Sequence, residues 1–264
     1  MKCISCQSSN ILKRKALTKQ GLAQYQCRHC GQYFNERSST PYNHTQYPTD
    51  IVTMIIFFYY RYKLSLVDIT EIMALRNVYL SHETVRRWVQ RFGADLALKC
   101  RSNRSKIGTK WHMDVTYITI KGHWYYLYRA IDKAGNLIDV YLCENRDKKA
   151  ATIFFKQCLQ TTGITPSQIT TDKEPGFADA IKSAFGLKTI HRDVKYLNNR
   201  MEQNHRGVKS WYRPMKGFKS SWSAMILCHA FEEIRQFFRS QKPLSKHRRF
   251  IASKFQSFAA FSNC

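Results

Sequence analysis

Acidic residues are scarce in this chain: 18 Asp and Glu stand against 43 Lys and Arg, a formal net charge of +25. Solubility does not require that much charge of one sign. Attraction to a phosphate backbone accounts for it, and ribosomal or membrane-surface binding would fit the charge as well. Long apolar runs are also missing. The most apolar stretch, Ile51 to Tyr60, is about half the length a bilayer-spanning helix needs, so it reads as a buried helix. The chain opens MKCISCQSSN with no apolar h-region, which predicts a cytosolic protein. Internal repeats and low-complexity tracts are absent, and the hydrophobic share of 44% is ordinary, which argues against general disorder.

Cysteine, by contrast, is plentiful. Nine of them in a reducing compartment point to metal ligands and buried thiols rather than disulfides. Cys3-x-x-Cys6 and Cys27-x-x-Cys30 are separated by twenty residues. This is the spacing of a zinc ribbon, in which two knuckles close a tetrahedral four-thiolate site. Gly31 follows the second knuckle, and Tyr25, Tyr33 and Phe34 are expected to cover a small core. A segment this short needs a staple such as a metal. One structural Zn²⁺ is therefore expected on Cys3, Cys6, Cys27 and Cys30, with His29 at the surface or facing DNA; four incidental cysteines are the alternative. Cys100, Cys143, Cys158, Cys228 and Cys264 have no ligand spacing and read as buried or free thiols.

The polar segment SSTPYNHTQYPTD, residues 38–50, predicts a linker ending in an N-cap at Thr49 or Asp50. Gly and Pro are then missing as far as Gly93, and residues 51–98 read as helical throughout. Within them Leu66, Ile69, Ile72 and Met73 recur at helical spacing, a turn falls at residues 76–80, and Ser81 caps a second helix. That helix carries Val85, Trp88, Val89 and Phe92 on one face. The pattern is a helix-turn-helix over residues 64–92, whose exposed positions His82, Glu83, Arg86 and Arg87 would meet base edges and phosphates in a major groove. An ordinary helical hairpin with a charged face is the alternative. Residues 101–109 read as a second, basic linker.

From Trp111 the chain turns β-branched and aromatic. Strands are expected at 111–120, 123–131 and 137–143, then a helix at 148–161 and a strand ending near Asp172. A helix at 175–185, a strand at 187–190 and helices from about 197 follow. Hairpins followed by alternating helix and strand predict an α/β layered domain. The expected domains are 1–40, 41–100 and 108–240, with a basic C-terminal tail at 241–264.

Three acids stand out: Asp114 in WHMDVTYITI, Asp172 after ITPSQITT, and Glu202 in LNNRMEQNHRGVK. Metal-dependent phosphodiester cleavage and strand transfer use two cations about 4 Å apart, one activating the attacking oxygen and one stabilising the leaving oxygen. Hard carboxylate oxygens suit Mg²⁺ or Mn²⁺. Asp114 on the first strand and Asp172 at the end of the fourth meet if those strands are neighbours, and Glu202 would reach in from the next helix. A carboxylate in an apolar strand such as that of Asp114 is costly unless a cation accompanies it. Arg206 and Lys209 follow on the helix face of Glu202, where they could clamp DNA. Singly, Asp172 reads equally well as a helix cap and Glu202 as a solvated partner of Arg206; jointly the three favour chemistry. Trp111, Trp124, Tyr125 and Tyr126 read as sheet packing, Trp211 and Trp222 as helix-burying or DNA-stacking. His112 shares the strand face of Asp114.

WHMDVTYITIKGHWYYLYRAID, TTDKEPGF and HRDVKYLNNRMEQNHRGVK together resemble the DDE transposases of bacterial and archaeal insertion sequences, and most closely insertion-sequence family six, over roughly residues 45–240. The resemblance implies an α/β RNase H-like core, a mixed five-stranded sheet with flanking helices, preceded by the zinc ribbon and an all-α helix-turn-helix domain. It implies Asp114, Asp172 and Glu202 as ligands of two Mg²⁺ (or Mn²⁺) ions. It also implies replicative transposition: nicking at terminal inverted repeats, then attack of the 3′-hydroxyl on target DNA to form a cointegrate. The expected partners are double-stranded DNA and further copies of the chain, as a dimer or larger, in a prokaryotic cytoplasm at the nucleoid; no membrane or small-molecule substrate is expected. The chain departs from the family pattern at Val115 and Asn204, and in the 29 residues between Asp172 and Glu202. The competing readings are a catalytically silent or co-opted DNA-binding regulator and a metal nuclease without strand transfer.

Overall fold

The computed structural model describes residues 1–172, 174–193, 209–212, 217–240 and 243–263. They fall into two compact units, one of residues 1–99 with 240–264 and one of residues 100–239.

The first unit opens with strands β1 (Ile11–Leu17), β2 (Ala23–Cys27) and β3 (Tyr33–Asn35), an antiparallel sheet in that order. Its core is small: Cys3, Cys27 and Phe34 are buried, with Ile11 and Tyr25 against them. Tyr33, expected in that core, is 53% exposed. On a three-residue strand it alternates with Phe34, and only one of the two can face the thiols.

Helices follow as α1 (Thr49–Phe57), a π turn (Phe58–Tyr62), α2 (Leu66–Ala74) and α3 (His82–Ser102). The helical stretch expected from residue 51, with its turn at 76–80, is therefore broken once more, before α2, and without Gly or Pro. Lys63 adopts a left-handed φ of 59°, and Ser65 and Asp68 form a reciprocal capping box that starts α2. Pro48 precedes α1 with no side-chain cap, so neither Thr49 nor Asp50 is its N-cap. Ser81 does cap α3, its Oγ accepting from the Thr84 N–H at 3.2 Å. Ile69, Met73, Val85, Trp88, Val89 and Phe92 are buried, as their spacing predicts.

The second unit comprises β4 (Lys110–Ile120), β5 (His123–Asp132), β6 (Leu137–Cys143), α4 (Lys148–Thr162), β7 (Gln168–Thr171), α5 (Phe177–Phe185), β8 (Ile190–Asp193) and α6 (Ser221–Phe237). The sheet order is β6-β5-β4-β7-β8; β4 is antiparallel to β5 and parallel to β7. This is the mixed five-stranded sheet of an RNase H-like fold. Lys121 and Gly122 join β4 to β5 with φ of 50° and 82°, the two-residue turn whose twist matches the strands; glycine takes the second position at no steric cost. Asp147 caps α4 by accepting from the Ala150 N–H at 2.7 Å.

Trp111, Met113, Tyr128, Ala130, Ile138 and Ile169 line one sheet face and pack against Phe154, Phe155 and Ile181 of α4 and α5. Each of the larger side chains among them contributes about 2 kcal/mol on burial. By the two-residue period, His112, Asp114, Thr116, Arg129 and Thr170 belong to the other face, where Arg129 Nε donates to Glu232 Oε2 of α6 at 2.9 Å.

Several expectations change here. Strand β8 spans 190–193 rather than 187–190, because pairing with β7 begins at Gln168↔Ile190, and Leu187 is left 88% exposed. Trp111 is buried as expected, but Trp124 is 57% exposed and is not sheet packing. Trp211 is buried and stacked on Phe231 at 4.5 Å, whereas Trp222 is exposed. Cys100, Cys158 and Cys228 are buried and Cys143 half-buried; Cys264 lies outside the described residues. The C-terminal basic segment forms a helix, α7 (Leu244–Ala260), in the first unit, with Phe258 fully buried. Among the described residues no helix is long and apolar enough to cross a membrane.

Candidate active site and metal centre

Two short turns build the thiol cluster. The Gln7 N–H donates to the Cys3 carbonyl and the Gly31 N–H to the Cys27 carbonyl, so each Cys-x-x-Cys folds back on itself. The sulfurs of Cys3, Cys6, Cys27 and Cys30 all lie within 4.8 Å of one another, with Cys3–Cys30 and Cys6–Cys27 at 3.5 Å. A tetrahedron with Zn–S bonds of about 2.3 Å has edges of roughly 3.8 Å, so the four sulfurs fit a zinc ion. Backbone N–H groups of Cys30 and His29 hold the Cys27 thiol down at about 6, favouring the thiolate that a metal needs. His29 is exposed and stands outside the cluster.

The carboxylates are assembled by the sheet. Strands β4 and β7 run parallel, from Lys110↔Gln168 to His112↔Thr170. Two residues further along each chain stand Asp114 and Asp172. The pairing itself ends at His112↔Thr170, so Asp114 lies within β4 and Asp172 just past the end of β7, on neighbouring strands about 4.8 Å apart. The N-cap of α5 is Gly176, so Asp172 is not a helix cap. Its Oδ2 accepts from Arg146 Nη2 at 2.8 Å, and the same nitrogen lies 2.9 Å from Glu174 Oε2. Its other oxygen, Oδ1, is buried with no hydrogen-bond partner among the described residues. A buried, unpartnered carboxylate oxygen is the donor a hard divalent cation takes. Asp114 Oδ1 accepts from the Val115 N–H at 2.8 Å.

Supporting groups surround the pair. Asp114 pairs in register with Arg129, whose guanidinium is buried against Glu232; burial pulls Arg129 below its ordinary pKa. Beneath Asp172, the Thr171 hydroxyl donates to the Asp172 carbonyl and contacts His191 Nε2, both at 2.8 Å. Burial lowers the pKa of His191, which favours the neutral ring. Arg146, Glu174, Arg129 and Glu232 went unmarked in the sequence reading. Arg146 sits in a short run of charge between β6 and α4, and nothing local distinguishes it. The pairing of Asp114 with Arg129 could have been found by laying the two hairpin strands in register.

Glu202 and Arg206 lie outside the described residues. Lys209 is described, with Nζ 5.0 Å from the ring centroid of Tyr117. In the helix-turn-helix segment His82, Arg86 and Arg87 are all exposed at the start of α3. Arg86 is engaged by Glu83 through two hydrogen bonds, Nε to Oε2 at 2.8 Å and Nη2 to Oε1 at 2.7 Å, so its guanidinium is partly committed within the helix.

A family profile described as a DDE domain, of IS240-type transposases, matches residues 108–241. The transposase for the insertion sequence-like element IS431mec of Staphylococcus aureus (strain N315) is 41% identical over 173 residues, covering 64% of this chain and 76% of that protein. The transposase for insertion sequence element IS257 in transposon Tn4003, also of Staphylococcus aureus, matches with the same identity and coverage. Among solved structures, the HTLV-2 integrase catalytic core domain in complex with magnesium (dimeric form) aligns with a TM-score of 0.36 and 18% identity, over 54% of this chain and 93% of that one.

Proposed function

This chain belongs to the DDE transposases of insertion-sequence family six, and from that membership we propose that it binds the terminal inverted repeats of its element and joins their 3′ ends to target DNA by replicative, cointegrate-forming transposition. It is a transposase, a polynucleotidyl transferase acting through a DDE domain. In the proposed division of labour, the ribbon (residues 1–40) and the helix-turn-helix domain (41–100) hold the repeats, and the domain over 108–240 does the chemistry. His82, Arg86 and Arg87 contact duplex DNA from α3, and Arg206 and Lys209 hold the end being cut. The chain acts as a dimer or larger assembly, since two element ends must meet in one complex.

Asp114, Asp172 and Glu202 hold two Mg²⁺ or Mn²⁺ ions, and Cys3, Cys6, Cys27 and Cys30 one structural Zn²⁺. When bound, the divalent ions polarise the phosphate and favour the deprotonated attacking oxygen. The chain's own residues do the rest. Arg146 holds Oδ2 of Asp172, whose Oδ1 has no hydrogen-bond partner among the described residues. The Arg129–Glu232 pair lies on the same sheet face as Asp114, on the neighbouring strand. Lys and Arg side chains neutralise the incoming backbone.

The observation that supports the reading is the parallel β4–β7 pairing, two residues beyond which stand Asp114 and Asp172, the latter with a buried Oδ1 that has no hydrogen-bond partner among the described residues. The test is strand transfer on a labelled terminal-repeat duplex with Mg²⁺, wild type against Asp172→Asn. Joined products from the wild type alone are expected. Cleavage without joining would indicate a nuclease, and binding with no metal-dependent cleavage a regulator.

A further inference from the structure

We propose that the tip of the β4–β5 hairpin is a stacking platform for an unpaired DNA base, a role that rests on the DNA-binding reading above and adds single-stranded DNA to its ligands. Tyr117 and Trp124 stand on the two strands beside the turn and meet edge to face at 4.8 Å. They are 53% and 57% exposed. Tyr117 follows Met113 and Val115 on its sheet face by the two-residue period, yet lies past the end of the cluster that buries them. Neither ring serves the core. Large exposed aromatics side by side mark a contact surface more than a packing accident.

The chemistry around the rings selects the partner. Lys209 sits over the Tyr117 ring. The Lys121 N–H donates to the Phe218 carbonyl at 3.0 Å, which fastens the segment from Gly217 to Trp222 beside the turn. That segment adds exposed Lys219 and exposed Trp222. Residues 117–124 and 217–222 read YITIKGHW and GFKSSW, with no carboxylate in either. Aromatic faces interleaved with Lys121, Lys209 and Lys219 match the pattern that holds single strands, in which rings stack on bases and cations follow the phosphates. A paired duplex keeps its base faces stacked inside and offers them to no ring. A strand loosened at a nicked end does offer them. Tyr117 lies three residues beyond Asp114, about 10 Å along β4 and on the opposite sheet face.

The experiment uses the full chain and duplex DNA of arbitrary sequence, with and without an unpaired 3′ tail carrying 2-aminopurine. Wild type is expected to bind the tailed duplex more tightly and to quench the 2-aminopurine. Trp124→Ala should weaken tailed-duplex binding by about tenfold and lose the quenching, while changing fully paired binding by less than about twofold. Trp124→Phe should restore both. Tyr117→Ala supplies a second, independent variant should Trp124→Ala misfold by circular dichroism. Equal loss on both DNAs, or no loss on either, would overturn the platform while leaving DNA binding intact. A change in oligomeric state with unchanged tailed-DNA affinity would assign the surface to a second copy of the chain instead. If wild type binds neither DNA, the DNA-binding reading fails and the platform with it.

Discussion

The four sulfurs of Cys3, Cys6, Cys27 and Cys30 converge through two short turns of the chain, whereas Asp114 and Asp172 stand on neighbouring strands only because β4 and β7 lie side by side in a sheet. The thiol site is closed: four soft donors fill a tetrahedron and leave no position for a substrate. The proposed carboxylate site differs: among the described residues one Asp172 oxygen is unpartnered and a basic side chain borders it. A closed site has its largest effect on folding, and an open site on rate. The expected consequences of damaging each differ accordingly.

Removing a sulfur is expected to have the largest effect. A structural zinc contributes on the order of 10 kcal/mol to folding a small module, and the ribbon's own buried core is little more than Phe34 and the cysteines. Cys27→Ser should therefore reduce zinc content to background by atomic absorption and abolish the protease resistance of residues 1–40, with the second unit still folded. An intact ribbon in Cys27→Ser would mean that the cysteines are not its staple, and the contrast between the two sites would fail. Next in size, Asp114→Asn should slow strand transfer by about 10³-fold or more while leaving repeat binding and thermal stability close to wild type. A large loss of stability without loss of rate would make Asp114 structural.

The same contrast explains what could be read from the sequence. Two Cys-x-x-Cys motifs specify their geometry locally, so spacing alone is enough to pair them. The hairpin strands were equally legible: 111–120, 123–131 and 137–143 fall within a residue of β4, β5 and β6, because KGH and DKAGN mark their turns. Asp114 and Asp172 could be recognised as candidates but not placed, since their proximity depends on β4 pairing with β7. Arg146 was invisible for the same reason. The break between α1 and α2 escaped because a capping box and a left-handed Lys63 made it, with no Gly or Pro to signal it. Helix α7 escaped because its basic residues outnumber its few inward-facing ones, such as Phe258. Trp124 misled because aromatic strand residues are usually packed, and this one extends beyond the core.

Arg146 sharpens the open half of the comparison. It holds one oxygen of Asp172, the proposed cation ligand, and outer partners of metal ligands are worth roughly 10- to 100-fold in affinity. Arg146→Met should weaken Mg²⁺ or Mn²⁺ binding by about that factor in calorimetry, without changing zinc content. Tighter binding would instead mean that the guanidinium competes with the cation for Asp172, and the positioning role would be wrong.

The smallest expected effect returns to the thiols. Gly31 follows Cys30 with φ of +76°, and a Cβ there would meet nothing within 4 Å. Space is therefore not the constraint; conformation is. A side chain in the left-handed region costs roughly 1–2 kcal/mol, and asparagine tolerates it better than alanine. The Gly31 N–H also donates to the Cys27 carbonyl at 2.9 Å, closing the knuckle, so strain at this residue bears directly on the sulfurs. Gly31→Ala is expected to weaken zinc retention against a chelator by about tenfold, with Gly31→Asn intermediate and strand transfer on pre-loaded protein unchanged. If alanine and asparagine behave like glycine, the knuckle is held by the metal alone, and backbone preorganisation has no part in the closed site.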